Sequence, residues 1–178
     1  LGAFHEADLN VLLNEVLNDL ELHIAKKKTP VSIGDLPRLE VIPDQFQRLI
    51  QNLIVNSLKF SRKNTIPEIC ISAEHVKGGD ITSANPDVEN EDYCKIEVSD
   101  NGIGFEQKYA DQIFIIFKRL HTYDNIEGTG IGLSICKKIV EQHNGFISAS
   151  GIVGQGATFT IHLPVKQHKY NMFNALAL

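Results

Sequence analysis

Hydrophobic residues recur three and four positions apart in three parts of the chain. This spacing places them on one face of a helix. It predicts helices over residues 9–24, 43–60 and 131–143. Three consecutive lysines at 26–28 suit the end of the first helix, because cations are stabilised at a helix C-terminus. Gly145 stands where glycine commonly ends a helix, so it is predicted to end the third one.

Shorter runs with two-residue alternation predict strands. Ile69 and Ile71 alternate with Cys70 and Ser72, and Ile96 and Val98 have the same two-residue spacing. We expect these two runs to pair as a hairpin around a polar surface loop at residues 77–92. The remaining extended segments are predicted at residues 31–42, 146–152 and 157–163.

The order of these elements predicts an α+β fold, a two-layer sandwich. Helices and strands follow one another in mixed order instead of strict βαβ alternation, which favours a mixed sheet covered on one face by about three helices. A chain of 178 residues, of which 43% are hydrophobic and 22% charged, has the size of one domain. We assign that domain to residues 1–164 and a C-terminal tail to residues 165–178.

Composition and charge limit the cellular environment and the binding partners that are expected for this chain. The net charge is −5, and its excess lies in residues 74–92, so no basic face for nucleic acid is expected. No apolar run approaches the ~20 residues that span a bilayer, so the chain is expected to be soluble and without membrane contact. Cys70, Cys94 and Cys136 form no CxxC pair, which predicts buried free thiols in the cytoplasm rather than disulfides or a zinc site.

Glycine is concentrated in the second half of the chain. Nine of the 13 glycines lie between residues 102 and 156, which is less than a third of the sequence. Such clustering indicates unusual backbone geometry or the close approach of a ligand. Three clusters result, at residues 100–104, 128–133 and 154–158. Each alone is also typical of a tight turn, and none is a G-x-x-x-x-G-K-[ST] phosphate loop or a G-x-G-x-x-G dinucleotide motif.

The first two clusters carry chemistry that suits a ligand. Asp100 ends a predicted strand, where its carboxylate can accept a hydrogen bond from an exocyclic amine. Gly102 and Gly104 beside it let a flat ring approach the backbone. Residues 128–133 open a predicted helix, and free N–H groups at a helix N-terminus bind anions such as phosphate.

A line of polar side chains marks the predicted second helix. Asn52, Asn56 and Lys59 are four and three residues apart, so they share one face. An amide oxygen can bind a hard cation, and a lysine can neutralise a phosphate. Together with the glycine clusters, this line favours a ligand site over a merely polar surface.

Five segments then follow one another along the chain. They read QNLIVNSLKFS, DNGIGF, IFIIFKRLH, GTGIGLSICKKIVEQHNG and GQGATFTIHLP. This series resembles the N box, first glycine box, F box, second glycine box and final Gly-x-Gly-x-Thr turn of the ATP-binding catalytic domain of sensor histidine kinases. The match covers residues 8–164, and residues 117–121 resemble the phytochrome-like subgroup. The resemblance implies the Bergerat ATP-binding fold.

The resemblance also implies roles for single residues. Asn56 matches the asparagine that coordinates Mg²⁺, and Asp100 matches the acid that reads the adenine amino group. The implied catalytic residues are Asn56, Lys59 and Arg119. The implied ATP-binding residues are Asn52, Asn56, Lys59, Asp100, Gly102, Gly104, Phe105, Gly128, Thr129, Gly130, Ile131, Gly132, Leu133 and Thr158. Residues 122–127 correspond to a short ATP lid.

Two departures from the family pattern refine this expectation. Asn52 stands where hydrolytic members carry a glutamate that activates water, and an amide cannot accept a proton at neutral pH. The family's acceptor motif, H-E-[LIF]-R-[TN]-P, is absent. His5 is followed by Glu6 but not by the rest of that motif, so it is not expected to be the phosphoacceptor.

The expected function is therefore that of a catalytic fragment of a two-component histidine kinase. It would use ATP and Mg²⁺ and act on a His-bearing dimerisation domain of the same full-length kinase, which passes the phosphoryl group to a response regulator receiver domain. The alternatives are a non-catalytic nucleotide-binding regulatory module and a gyrase-type ATPase. The complete motifs argue against the first alternative, and Asn52 argues against the second.

Overall fold

A five-stranded sheet forms one layer of the fold. The computed structural model describes residues 2–81, 89–118 and 129–167. The helices in these ranges are α1 (Leu9–Asp19), α2 (Glu21–Lys27), α3 (Pro43–Lys59) and α4 (Gly132–Gln142). The strands are β1 (His5–Asp8), β2 (Val31–Ile33), β3 (Arg38–Val41), β4 (Ile69–Lys77), β5 (Asp92–Asp100), β6 (Phe146–Ile152) and β7 (Gly156–Pro164).

The large sheet has the order β2-β4-β5-β7-β6, and β1 pairs with β3 in a separate two-stranded sheet. Only the short β2–β4 pair in the large sheet is parallel. Helices α3 and α4 contact each other and the sheet, and α1 packs on α3. Apolar side chains of these elements form one buried cluster, which includes Leu53, Ile96 and Ile161. The predicted α+β fold with a mostly antiparallel sheet is confirmed.

The first predicted helix is divided in two. Leu20, with φ −96° and ψ 3°, separates α1 from α2, while its N–H still bonds to the carbonyl of Val16 over 3.1 Å. The side chain of Leu20 is buried, so the periodicity continues across the break and conceals it in the sequence. Lys28 caps the C-terminus of α2, and its left-handed φ of 54° closes the last turn.

The end of α4 also differs from the prediction. Asn144, and not Gly145, has the left-handed conformation, with φ 55°. A Cβ on Gly145 would lie 2.3 Å from the carbonyl oxygen of His162. This glycine is therefore required by the close approach of β7 and not by its own φ.

The β4–β5 hairpin is confirmed and is longer than predicted. The two strands pair from Ile69 opposite Asp100 to Lys77 opposite Asp92. The connection is not wholly a surface loop, because Gly78 and Ile81 are buried. Residues 82–88 lie outside the described part of the chain.

Both ends of the described chain dock on the same corner of the fold. The unpredicted strand β1 places His5 opposite Val41, so this histidine lies in a strand and not in a helical hairpin. At the other end, the N–H of Gln167 donates to Oε2 of Glu40 over 2.7 Å. The boundary at residue 164 stays a prediction, and residues 168–178 of the predicted tail lie outside the described residues.

One histidine is fully buried at this corner. Nε2 of His143 accepts a hydrogen bond from the N–H of Ile42 over 3.0 Å, and Nδ1 lies 2.8 Å from the carbonyl oxygen of Ile139. These contacts require the neutral tautomer with the proton on Nδ1. Burial lowers the pKa of His143 and so favours that neutral form.

The cysteines only partly follow the prediction. Cys94 and Cys136 are buried, and desolvation raises the pKa of each thiol to about 12. Cys70 is exposed, which contradicts the expectation of three buried thiols. The reason is its place on β4, where buried Ile69 and Ile71 face the helices and Cys70 between them points to the opposite face. Among the described residues, no helix is both long and apolar enough to cross a lipid bilayer.

Candidate functional site

A cavity of about 290 Å³ opens between α3, the chain that follows β5 and the start of α4. Most of the residues predicted to form the site line this cavity. They are Asn52, Asn56, Lys59, Asp100, Gly104, Phe105, Thr129, Gly130, Gly132 and Leu133. Segments far apart in the sequence thus converge on one space of the size of a small-molecule site.

One carboxylate lies in the cavity, held by three donors. Oδ2 of Asp100 accepts from the hydroxyl of Ser57 over 2.9 Å, and Oδ1 accepts from the N–H groups of Gly102 and Ala157 over 2.8 and 3.3 Å. Burial raises the pKa of Asp100, while these three hydrogen bonds act in the opposite direction. The carboxylate is thus fixed in place and retains acceptor capacity toward the cavity.

Glycines bring the backbone close around this carboxylate. A Cβ on Gly102 would lie 2.6 Å from the carbonyl oxygen of Phe60, and one on Gly104 would lie 2.0 Å from that of Ile152. Gly104 also has a φ of +61°, which favours glycine. Ile103, Phe105 and Phe159 supply apolar wall beside the backbone, so a flat apolar ring fits this end of the cavity.

The α3 wall carries the predicted line of Asn52, Asn56 and Lys59, which the helix spacing aligns on the cavity side. The Nδ2 atom of Asn52 is buried without a hydrogen-bond partner in the described structure. Its Oδ1 lies 3.6 Å from the place that a Cβ on Gly132 would occupy. An unpaired buried amide is costly in free energy, so this position favours a polar ligand at the junction of α3 and α4.

The start of α4 forms the third wall. Its cap residue Ile131 makes no side-chain capping hydrogen bond, so the first-turn N–H groups are not satisfied by a capping side chain. Gly130, with φ +70°, accepts from the N–H of Phe117 over 3.0 Å, which holds the preceding segment against the helix start. Lys118 lines the cavity beside it. Lysines and open helix N–H groups together suit phosphate oxygens.

The comparisons with known proteins agree with this geometry. Residues 41–167 match the family described as histidine kinase-, DNA gyrase B-, and HSP90-like ATPase. The chain belongs to this family. Cyanobacterial phytochrome A of Nostoc sp. is 39% identical over 163 residues, which are 92% of this chain and 19% of the phytochrome.

Solved structures of the same kind superimpose on more than nine tenths of this chain. The catalytic domain of histidine kinase ThkA has a TM-score of 0.71 at 25% identity, covering 92% of this chain and 97% of that domain. Full-length ShkA in complex with AMPPNP has a TM-score of 0.72 at 20% identity, covering 94% of this chain and 32% of that one. The assignment of the chain as an ATP-binding catalytic domain of a sensor histidine kinase is confirmed.

Some predicted residues of this histidine-kinase domain lie outside the cavity wall. The N–H of Gly102 donates to the Asp100 carboxylate, and Ile131 is the cap of α4, but neither residue lines the cavity. Thr158 does not reach it either. Its strand neighbours Ala157 and Phe159 line the cavity, and successive strand residues point to opposite faces of the sheet.

Three predictions fall on residues that the structure does not describe. Arg119, Gly128 and the lid at residues 122–127 belong to this group.

Sequence reasoning missed several lining residues. They are Val55, Phe60, Ile103, Ile113, Lys118, Ala157 and Phe159. The apolar members carry no chemical signal of their own, because apolar residues occupy core and cavity positions alike. Lys118 could have been found, since it directly precedes the predicted Arg119.

The donor set of the cavity fits a divalent cation that arrives with a ligand. Asn56 and Asn52 offer neutral amide oxygens, and Asp100 is the only carboxylate among the described lining residues. The described part of the chain has no group of three His, Cys, Asp or Glu residues that could hold a metal ion. Mg²⁺ commonly takes few protein ligands and completes its shell with water and phosphate oxygens, so these residues fit Mg²⁺ bound to a nucleotide.

Proposed function

We propose that this chain binds Mg-ATP in the cavity and presents its γ-phosphoryl group to a histidine on a separate dimerisation domain. The chain spans 19% of the phytochrome and 32% of full-length ShkA. The proposal therefore assigns the acceptor histidine to another part of a longer protein of this type. The AMPPNP bound by ShkA supports a nucleoside triphosphate as the ligand.

The distribution of acid and amide groups is the observation that carries the proposal. The only carboxylate among the described lining residues, that of Asp100, is held by three hydrogen bonds. The α3 wall offers Asn52 and Asn56, which cannot take a proton from water at neutral pH. Because the described lining residues place no base beside these amides, transfer to an external nucleophile is favoured over hydrolysis.

The proposal gives each wall a role. Asp100 accepts a hydrogen bond from the adenine amino group, while Phe105 and Phe159 cover the ring. Lys59 and Lys118 neutralise the phosphates, with the N–H groups at the start of α4. We assign Arg119, outside the described residues, to the terminal phosphate, as the family resemblance implies.

The cation would be held by Asn56, with Asn52 next to it. When bound, Mg²⁺ would neutralise phosphate charge and so favour the departure of ADP. The residues of the chain position the nucleotide so that its terminal phosphate faces the acceptor. In the transfer, a ring nitrogen of the acceptor histidine forms a bond to the γ-phosphorus. The bond from that phosphorus to the bridging oxygen breaks, and ADP leaves with the electron pair.

An exposed apolar stretch supports docking of the acceptor domain. Ile115, Ile116 and Phe117 are 52%, 55% and 69% exposed and directly precede the cavity residue Lys118. Adjacent large apolar side chains on a surface are typical of an interaction site. We propose that the His-bearing domain contacts this stretch and then passes the phosphoryl group to a receiver domain in the cytoplasm.

Labelled ATP distinguishes the candidate functions. The chain is incubated with γ-labelled Mg-ATP, alone and with a dimeric helical hairpin that carries an acceptor histidine. We expect acid-labile label on the hairpin and negligible phosphate release by the chain alone. Binding without transfer would indicate a regulatory module, and phosphate release that disappears in Asn56→Ala would indicate an ATPase. Asn14→Ala, an exposed change on α1, is the matched control.

A further inference from the structure

The chain that follows α3 is bonded to the loop that follows Asp100. The N–H of Ile103 donates to the carbonyl of Phe60 over 2.9 Å. Asn101 uses both ends of its side-chain amide: Oδ1 accepts from the N–H of Glu68 over 2.9 Å, and Nδ2 donates to the carbonyl of Ile66 over 3.1 Å. The loop at residues 101–104 is therefore fixed from the α3 side.

Arg62 extends this connection to a third segment. Its Nε donates to the carbonyl of Asn101 over 2.8 Å, and its Nη1 donates to the carbonyl of Gly154 over 3.1 Å. The N–H of Gly154 in turn donates to the carbonyl of Ile103 over 2.7 Å. One planar guanidinium thus joins the loop after β5 to the turn between β6 and β7, a geometry that its fixed fork of donors suits.

The two joined segments have no space to move independently near Asp100. A Cβ on Gly156 would lie 1.9 Å from the carbonyl oxygen of Asp100, and one on Gly104 would lie 2.7 Å from that of Gly156. The N–H of Ala157, one residue further, bonds to the Asp100 carboxylate. A shift of the β6–β7 turn therefore displaces both the backbone and the side chain of Asp100.

We infer that Arg62 is a positioning residue for adenine recognition, an inference that rests on the proposed function. It is not among the residues that line the cavity. It acts through the carbonyls of Asn101 and Gly154, which hold Asp100 where an adenine amino group meets its carboxylate. Its influence is expected at the base end, because its two side-chain hydrogen bonds lead to Asn101 and Gly154, whose segments hold Asp100.

The test separates the base end from the phosphate end of the site. Calorimetry measures the Kd of Mg-ADP, Mg-GDP and Mg-tripolyphosphate for the full chain and for Arg62→Ala, Arg62→Gln and Arg62→Lys. We expect Arg62→Ala to weaken ADP binding about three- to tenfold, the effect of one or two hydrogen bonds. In the same variant, the Kd values of Mg-GDP and Mg-tripolyphosphate should change less than about twofold. Arg62→Lys should recover part of the loss, because its ammonium can donate to one of the carbonyls.

Lys63→Ala is the matched control, since Lys63 is an exposed neighbouring cation. Equal weakening of all three ligands in Arg62→Ala would show a general structural role and overturn the inference, as would unchanged ADP affinity. If Arg62→Ala does not fold, the same comparison of ADP with GDP in the Lys and Gln variants decides the question. If the unmodified chain binds no ADP, the proposed function fails and the inference falls with it. If it binds ADP and the variants bind it equally well, the inference alone fails.

Discussion

The hydroxyl of Ser57 donates a hydrogen bond to Oδ2 of Asp100 over 2.9 Å. Ser57 is 1% exposed and lies on the core face of α3, whereas Asp100 is the last residue of β5. The bond therefore ties the helix that carries the amide line to the strand that carries the carboxylate. The two ends of the proposed nucleotide site are held in one relative position by this contact.

The Asp100→Asn variant tests the adenine assignment. The substitution replaces a charged acceptor by an amide, so it removes one charge-assisted hydrogen bond to the base. We expect Mg-ADP binding to weaken by about 1.5–3 kcal/mol, roughly ten- to a hundredfold in Kd. Calorimetry measures the change, with the exposed Asp19→Asn as the control. Unchanged affinity in Asp100→Asn would place adenine elsewhere.

The raised pKa of Asp100 gives nucleotide binding a pH dependence. A carboxyl group must be ionised to accept fully from an amine, so the affinity for ADP should fall as pH decreases toward the raised pKa. The contribution of Asp100 to the free energy of unfolding changes in the opposite direction over this pH range. The folded state binds the proton more readily than the unfolded chain, so this group's contribution to stability increases as pH falls. Calorimetric titrations from pH 8 to about pH 5 should show the affinity loss in the unmodified protein and a flatter profile in Asp100→Asn. The nucleotide phosphates titrate in both experiments, so the difference between the two profiles reports Asp100.

Asn56→Ala tests the proposed cation site. The substitution removes an amide oxygen from the cavity wall without adding charge. We expect the dependence of ADP affinity on Mg²⁺ to be lost, while binding of nucleotide in the presence of a chelator stays within about twofold. Equal strengthening by Mg²⁺ in Asn56→Ala would assign the cation to another residue, of which Asn52 is the first candidate. Asn14→Ala, on the exposed face of α1, serves as the control.

Acid should destabilise the fold through His143. Its folded-state pKa lies below the unfolded value of about 6.5, because burial favours the neutral ring. The stability contribution is complete above that value and is lost as pH falls below it, with a slope of up to about 1.4 kcal/mol per pH unit. Denaturant unfolding at several pH values should show a smaller slope in His143→Gln. His162 also has a pKa lowered by burial, so His162→Gln must be measured in parallel.

Thiol labelling should distinguish the three cysteines. Cys70 is exposed, whereas Cys94 and Cys136 are buried with pKa values raised to about 12. We expect a maleimide to modify one thiol in the native protein and all three in denaturant. Mass spectrometry counts the adducts, and Cys70→Ser should remove the native one. Rapid native labelling at Cys94 or Cys136 would contradict the packing described here.

The elements that the sequence predicted well share a clear periodicity. Helices α3 and α4 and the β4–β5 hairpin each present an uninterrupted apolar face, and burial against one core turns that periodicity into structure. The break at Leu20 escaped prediction because the buried side chain continues the same face. Strand β1 escaped because it is held by pairing with β3, a contact between segments about 30 residues apart that no local pattern contains.

The residues of the candidate site also divide into those that a local pattern predicts and those that depend on contacts between distant segments. Asn52, Asn56 and Lys59 were predictable because α-helix geometry alone aligns them. The part of Thr158 in binding stays a prediction. Its side chain does not line the cavity, because strand register decides which of two neighbouring residues faces inward. In β7 that residue is Ala157. Arg62 carries no signal in the sequence, since its partners are backbone carbonyls of two segments far along the chain.

The order of the large sheet has a consequence for synthesis of the protein. Strand β7 comes last in the chain among the described strands but lies between β5 and β6, so β6 joins the sheet only through it. A nascent chain cannot close this sheet until residues 156–164 have left the ribosome. Ala157 and Phe159 then supply the last described wall of the cavity. The emerging polypeptide should therefore acquire nucleotide binding late and in a single step, and not strand by strand.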